Sequence, residues 1–329
     1  MFRFELFDDS HEKEWDAFVE EKSLNGTFLQ TRRFLNYHPK DRFKDASLLV
    51  YNEKNNLAAV VPGCEVQIEG KRCFFSHRGT TFGGIIVDKK HHNAKYIMAL
   101  VGELKEYLKE MKYESTYLKQ TADIFSTVES DLFQYAFTYH GFKEYKELST
   151  YVDFANYKDE IISNFAQGKR TNVRNCMKED LYVKPLETKE EIADFYEILC
   201  ENLGKHGVKP VHTLEELWEF KSERLVEECG FFGVYKDDEM IASSMMFYFP
   251  KCSCAHTQYL AAKQEYNRLS PMTFMYYSML DEMKKRGFAK VSWGTATEDL
   301  GQILNMGLIT SKEDFGSRYT NNLTYYYEF

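Results

Sequence analysis

Two distant stretches of this sequence read as the same small structure, and that repetition limits the fold more than any other feature. Leu49-Val50-Tyr51-Asn52-Glu53-Lys54-Asn55-Asn56-Leu57-Ala58-Ala59-Val60 places apolar strand residues on both sides of a short polar turn, the pattern of a β-hairpin. Gly233-Val234-Tyr235-Lys236-Asp237-Asp238-Glu239-Met240-Ile241-Ala242-Ser243 has the same layout. Val50-Tyr51 aligns with Val234-Tyr235, and Leu57-Ala58 with Ile241-Ala242, without a gap. Each hairpin is followed by a helix and then a strand. In the first half, Ile97, Leu100, Val101, Leu104 and Leu108 recur at helical spacing between Asn93 and Met111, and Ser115-Thr116-Tyr117-Leu118 follows as a strand. In the second half, Ser270 is read as an N-cap and Pro271 as the first helical residue; Gly287 ends the helix, and Ala289–Trp293 is the next strand. A repeated order of this kind predicts a duplicated α/β (α+β) chain with a boundary near residues 150–160. The expected domains are 1–155 and 156–329, each a mixed, mainly antiparallel sheet flanked by helices.

The remaining elements follow from local signals. Glu160 to Lys178 reads as helix through Ile161, Ile162, Phe165 and Val173. Thr188 is expected to cap Glu190–Leu203, and Thr213 with Glu216 to form a capping box opening Leu214–Glu227. Ser149–Asp153 and Ser317–Phe329 read as strands.

Composition then removes whole classes. The 329 residues are 43% hydrophobic and 16% aromatic, too rich in aromatics for a disordered chain. The formal net charge is −9, so binding to duplex DNA over the whole surface is not expected; any grip on phosphate must come from a local basic patch. No apolar run approaches the ~20 residues of a transmembrane helix, and the first residues lack a signal-peptide layout. The 7 cysteines are scattered, as reduced thiols would be. A cytoplasmic location is the expectation.

Four stretches, in order along the chain, carry a family resemblance. They are Thr27-Phe28-Leu29-Gln30-Thr31-Arg32-Arg33-Phe34, Ser76-His77-Arg78-Gly79-Thr80-Thr81-Phe82-Gly83-Gly84, Lys169-Arg170-Thr171-Asn172-Val173-Arg174-Asn175-Cys176-Met177-Lys178 and Lys312-Glu313-Asp314-Phe315-Gly316. Together they resemble the FemABX peptidyltransferase family, which is built from two tandem acyl-CoA N-acyltransferase (GNAT) folds. The chain departs from the pattern at Ser292-Trp293-Gly294, where relatives often carry Asp-x-x-Gly or Asp-Phe-Gly, and at Phe34, where they carry Trp. The resemblance implies two tandem GNAT-like domains, with catalysis in the second.

The resemblance also implies where chemistry would sit. In GNAT-like folds the acyl donor lies where two strands splay apart, which points to Tyr259 and Leu260 and to the turn bearing Arg268 and Ser270. That turn, Asn267-Arg268-Leu269-Ser270-Pro271, has no glycine, unlike the usual coenzyme A turn. Lys312 matches the family lysine near the reacting acyl group, where a cation would stabilise an oxyanion. The residues themselves add further candidates. Arg170, Arg174 and Lys178 recur at i, i+4 and i+8, so they share one helical face able to hold phosphates, or equally to form a solvated face. Arg78, Gly83 and Gly84 allow close backbone approach, either to a ligand or to a neighbouring strand. Cys252, Cys254 and His256 alternate as on one strand; neighbours ~6.5–7 Å apart make no Cys–His dyad, and the spacing is wrong for zinc. No metal is expected. His256 stays a candidate general base, or a hydrogen-bonded core histidine.

These features favour an acyl- or aminoacyltransferase acting on an amine. No tightly bound cofactor is expected; acyl-CoA or aminoacyl-tRNA would serve as co-substrate. The expected acceptor is a small-molecule or nucleotide-linked amine, and the expected partner a tRNA end. An acetyl-CoA-dependent small-molecule N-acetyltransferase and a non-catalytic binding module on the same fold are the alternatives.

Overall fold

The computed structural model describes residues 2–39, 41–205 and 207–329. It divides into two compact units. One comprises Met1–Leu148, Thr297–Leu304 and Thr320–Phe329; the other comprises Ser149–Ala296 and Asn305–Tyr319.

In the first unit the strands Phe2–Leu6, Leu48–Asn52, Leu57–Val61 and Ile86–Val87 form an antiparallel sheet in that order. Pro62-Gly63 ends the second hairpin arm, and the chain resumes as Cys64–Ile68 in another group of strands. There Lys71–Ser76 runs parallel to Ser115–Lys119, with Cys73 to Ser76 opposite Ser115 to Leu118. The crossover between them contains the helix Ala94–Glu110. Asn93 caps that helix by accepting from the Tyr96 N–H at 3.3 Å. Ile97, Leu100, Val101, Leu104 and Leu108 are buried on its inner face, beside Val50, Phe74 and Tyr325. Tyr325 belongs to the C-terminal strand Arg318–Glu328, of which Thr324–Glu328 pairs antiparallel with Ser115–Lys119. The last ten residues thus complete the first unit, although they follow the second in sequence.

The second unit carries the strands Tyr182–Pro185, Cys229–Lys236, Glu239–Phe249, Cys254–Ala262 and Lys290–Thr295 in spatial order, followed by Ser149–Asp153. All neighbours are antiparallel except Cys254–Ala262 and Lys290–Thr295. Those two are parallel and are joined through the helix Pro271–Lys285. The helix Gln167–Lys178 packs on Pro271–Lys285, and Lys189–Gly204 lies on the strands Glu239–Phe249 and Cys254–Ala262. Capping boxes at Thr188/Glu191 and Thr213/Glu216 open their helices.

Four local expectations are corrected. The stretch from Glu160 is a 3-10 turn, Ile161–Asn164, before the helix begins at Gln167. The Asn164 side chain donates to the carbonyls of Lys158, Glu160 and Ile161, and the Ala166 N–H goes to Asp314 O at 2.7 Å, so helical bonds do not form across that point. The helix after Thr213 ends as α at Glu219 and continues as one π turn to Arg224. Cys252 lies in a 3-10 turn, and Ser253 adopts φ +52°, so Cys252 does not share the strand of Cys254 and His256. Ser270 also adopts a left-handed conformation, φ +55°, and its side chain makes no capping bond.

Candidate active site

The strands Cys254–Ala262 and Lys290–Thr295 pair at only three positions: Cys254/Lys290, Ala255/Val291 and His256/Ser292. Beyond these they part. At the vertex His256 Nδ1 lies 3.1 Å from Ser292 Oγ, and Thr257 Oγ1 donates to Ser292 O at 3.3 Å. Two bulges follow immediately, one in each strand. Met246 opposes Thr257 while Met245 opposes Tyr259, which leaves Gln258 as the extra residue. On the other strand Ser292 opposes Tyr151 and Gly294 opposes Thr150, which leaves Trp293 as the extra residue. Gly294 has φ +74°, a conformation that favours glycine. Bulges bend strands and redirect side chains, so both devices open the gap on its two sides.

Lys312 lies at this gap. Asn305 caps the helix Met306–Glu313 by accepting from the Leu308 N–H at 2.9 Å, and the helix brings Lys312 inward to 3% exposure. Its Nζ donates to Gly294 O at 3.0 Å and to Thr295 O at 2.9 Å, the two residues just past the vertex. Burial pushes its pKa down to about 8. A lysine ammonium has three protons, and the two carbonyls take two of them. His256 is held near a pKa of about 4 by burial and, secondarily, by the Lys312 charge, so it is neutral at pH 7. A base that weak has little driving force to take a proton from an ammonium group.

The basic helix runs away from Lys312. Lys169, near its start, donates to Ser311 Oγ at 3.2 Å, and its Nζ stands 4.9 Å above the Phe315 ring. Burial lowers its pKa. Arg170 is half-buried; Arg174 and Lys178 are exposed. Among the described residues none of the three has a carboxylate within ion-pairing distance, and Glu179 instead faces Lys236 at 3.4 Å. About 14 Å further along the axis, Lys178 joins Asn172, Asn175, Arg268, Leu269 and Ser270 around a pocket of ≈ 220 Å³, with Glu179 at its edge. Cys176 ties the helix to this turn through Leu269 O at 2.9 Å. Lys178, Arg268 and Ser270 therefore meet, while Lys312 lies beside the other end of the same helix.

Tyr259 and Leu260 are on the splayed strand, but their side chains have structural partners. The Tyr259 hydroxyl is 2.7 Å from His212 Nδ1, and Leu260 packs on the core. Arg78, Gly83 and Gly84 belong to the first unit. Arg78 is exposed, 5.3 Å from the centre of the Phe75 ring. The two glycines fill the gap between that unit's own parallel strands. The Gly83 N–H donates to Lys119 O at 3.0 Å, and the Gly84 N–H to Ser76 Oγ at 3.1 Å. A Cβ on Gly83 would stand 2.8 Å from the Ser76 carbonyl carbon, so the close approach these glycines permit is to backbone. In the first unit the chain itself bridges the two parallel strands, and in the second Lys312 bonds to the strand Lys290–Thr295 past the point where the pairing ends.

Sequence reasoning passed over Lys169 and Trp293. Lys169 opens the basic stretch but falls off the i, i+4, i+8 stripe. Trp293 stood out only as a departure from a pattern. Among the described residues no three His, Cys, Asp or Glu side chains gather to hold a metal ion, and no helix is long and apolar enough to cross a membrane.

Comparison with known proteins puts a family to this geometry. Residues 11–210 match the FemAB family, and residues 167–300 match the acetyltransferase (GNAT) domain. A search of curated proteins returned no match. The crystal structure of FemX is similar over 99% of this chain and 97% of its own, at 14% identity and a TM-score of 0.69. L-PGS from Bacillus licheniformis covers 97% of this chain and 91% of its own, at 11% identity and a TM-score of 0.64. A tandem GNAT protein from the clavulanic acid biosynthesis pathway covers 100% and 98%, at 9% identity and a TM-score of 0.57. At such identities these structures share the fold. With the FemAB match spanning more than half of the sequence, the chain belongs to the FemAB family and is a transferase of acyl or aminoacyl groups on a GNAT-like fold.

Proposed function

We propose that this enzyme transfers an aminoacyl group from an RNA-linked ester to an amine on a phosphate-bearing acceptor. The observation that carries the reading is the buried Lys312 ammonium, fixed by Gly294 O and Thr295 O where the two parallel strands part. The acceptor nitrogen attacks the ester carbonyl, and the carbonyl oxygen takes up negative charge. The third Lys312 proton is the donor for that oxygen. The C–O bond to the ribose then breaks, and the proton shed by the amine ends on the released hydroxyl. Lys312 keeps its own protons throughout.

Two features support RNA over coenzyme A as the carrier. The turn Asn267–Pro271 has no glycine, unlike the turn that usually holds the coenzyme A pyrophosphate. The face of Arg170, Arg174 and Lys178 has no carboxylate partners among the described residues and can track a nucleic-acid backbone on an otherwise acidic protein. A second reading has its own observation: the ≈ 220 Å³ pocket of Lys178, Arg268 and Ser270 could take coenzyme A phosphates at the start of the helix Pro271–Lys285.

Thermal shift with acetyl-CoA and with an aminoacylated RNA hairpin separates them. Stabilisation by the RNA, weakened by Arg174→Glu and by added salt, is expected. Stabilisation by acetyl-CoA alone, lost in Arg268→Ala, would favour the second reading.

A further inference from the structure

The aromatic cluster behind Lys312 contains two hydrogen-bond donors that the fold leaves without acceptors. Trp293 is 4% exposed, and its Nε1 is buried with no partner among the described residues. Tyr276 is 8% exposed; its hydroxyl makes no hydrogen bond with another described residue but, unlike the Trp293 indole N–H, is not fully shut off from solvent. The two rings meet edge to face with centroids 4.6 Å apart. Tyr276 also stacks on Phe315 at 4.5 Å and 16°, and Phe315 lies three residues after Lys312. Folded proteins seldom leave a buried donor such as the Trp293 indole N–H unsatisfied, because it costs about 1–3 kcal/mol.

The backbone around Trp293 is also built for a purpose other than pairing. Trp293 is the extra residue of the bulge, and the next residue, Gly294, supplies a carbonyl to Lys312. Thr150, opposite Gly294, has a buried hydroxyl that also lacks a partner among the described residues. The buried hydroxyls of Ser243 and Ser244 in this unit also lack partners among the described residues, but Trp293 and Thr150 adjoin Gly294, the residue that binds Lys312. Unsatisfied donors gathered beside the one buried ammonium of the gap are what a site for an oxygen-rich ligand looks like before the ligand arrives.

We propose that the indole N–H of Trp293 and the hydroxyl of Tyr276 donate to oxygen of the acyl group being transferred, and act with Lys312 on it. The pair makes this wall of the acyl site polar and holds the carbonyl oxygen that every transferred acyl group carries. The inference rests on the acyl-transfer reading above and adds the residues that recognise the group itself.

The test uses the full-length protein labelled at tryptophan indole nitrogens, with Trp293→Phe assigning the signal. The probes are acetyl-CoA and an RNA hairpin carrying its amino acid through a non-hydrolysable amide. Binding of either is expected to move the Trp293 N–H resonance downfield. Tyr276→Phe and Trp293→Phe are each expected to lower kcat by about 10- to 100-fold with a smaller change in KM. Tyr276→Phe keeps the ring and should melt close to the wild-type temperature, so a fall in its kcat cannot come from lost packing. A role in packing alone would leave kcat intact in Tyr276→Phe, and that result would overturn the inference. If a probe raises the melting temperature of the wild type but the Trp293 signal stays in place, this inference fails while the functional reading stands. If neither probe binds and no acyl transfer is detected, the functional reading fails and takes the inference with it.

Discussion

The Lys312 ammonium rests on two carbonyl oxygens at 3.0 and 2.9 Å, almost out of contact with water. Its pKa of about 8 lies below the usual lysine value, so the cation is present at pH 7 and lost as pH rises through 8. Acyl transfer that needs this charge should fall on the alkaline side and drop to about one tenth by pH 9, as a pH–rate profile would read. A shift of this size corresponds to a net cost on the order of 3 kcal/mol for holding the charge at pH 7. Lys312→Met should therefore stay folded, with a melting temperature at or above that of the wild type. Three histidines work in the other direction on pH. Burial depresses His38, His77 and His256 to about 4, so the unfolded chain binds protons below pH 6.5 that the folded chain refuses. Stability is full above pH 6.5 and declines between there and pH 4. For His77, 5% exposed, the loss at pH 5.5 is on the order of 1 kcal/mol. Thermal melts from pH 7.5 to 5 should show it, and His77→Gln should flatten the slope. The residue type of Lys312 was legible in Lys-x-x-Phe-Gly. Its burial was not, because Glu313 and Asp314 beside it suggest a surface loop.

At the scale of elements, ends were easier to read than interruptions. Thr188 and Glu191 satisfy each other's backbone N–H groups, a local arrangement that sequence spacing specifies directly. Thr188→Ala should cost about 1 kcal/mol, measurable by urea denaturation. The break before Gln167 was hidden because Ile161, Ile162 and Phe165 keep helical spacing. What breaks the helix is a side chain, Asn164, together with Asp314, a residue far along the sequence. The glycines at 83 and 84 illustrate the same limit. Sequence reveals that backbone must approach something; only the fold reveals that in this case it is Ser76 and Lys119. The splayed strands were anticipated from the resemblance, whereas the two bulges that open them depend on cross-strand pairing that no local pattern encodes.

At the scale of the molecule, the recurring hairpin, helix and strand support a duplication, which we hold as a proposal. Both halves contain a parallel pair joined through a helix; in the first the glycine-rich stretch at 83–84 bonds to both strands, and in the second Lys312 bonds to the strand that parts. The C-terminal strand was visible as a strand, but its destination was not, since β-pairing is set by contacts distant in sequence. Tyr325 on that strand is fully buried and stacks on Phe137 with centroids 4.2 Å apart. Tyr325→Ala should destabilise the protein by about 3–5 kcal/mol, and deleting 320–329 should unfold the first unit, as hydrogen exchange would localise. The central claim concerns chemistry at Lys312, and the measurement that meets it most directly is single-turnover acyl transfer by wild type and Lys312→Met. The donor is an aminoacylated RNA hairpin, and a panel of phosphorylated amines is the acceptor. A fall of about 10²–10³-fold in rate at pH 7, with RNA affinity unchanged, is the predicted result. Equal rates in the two proteins would contradict it.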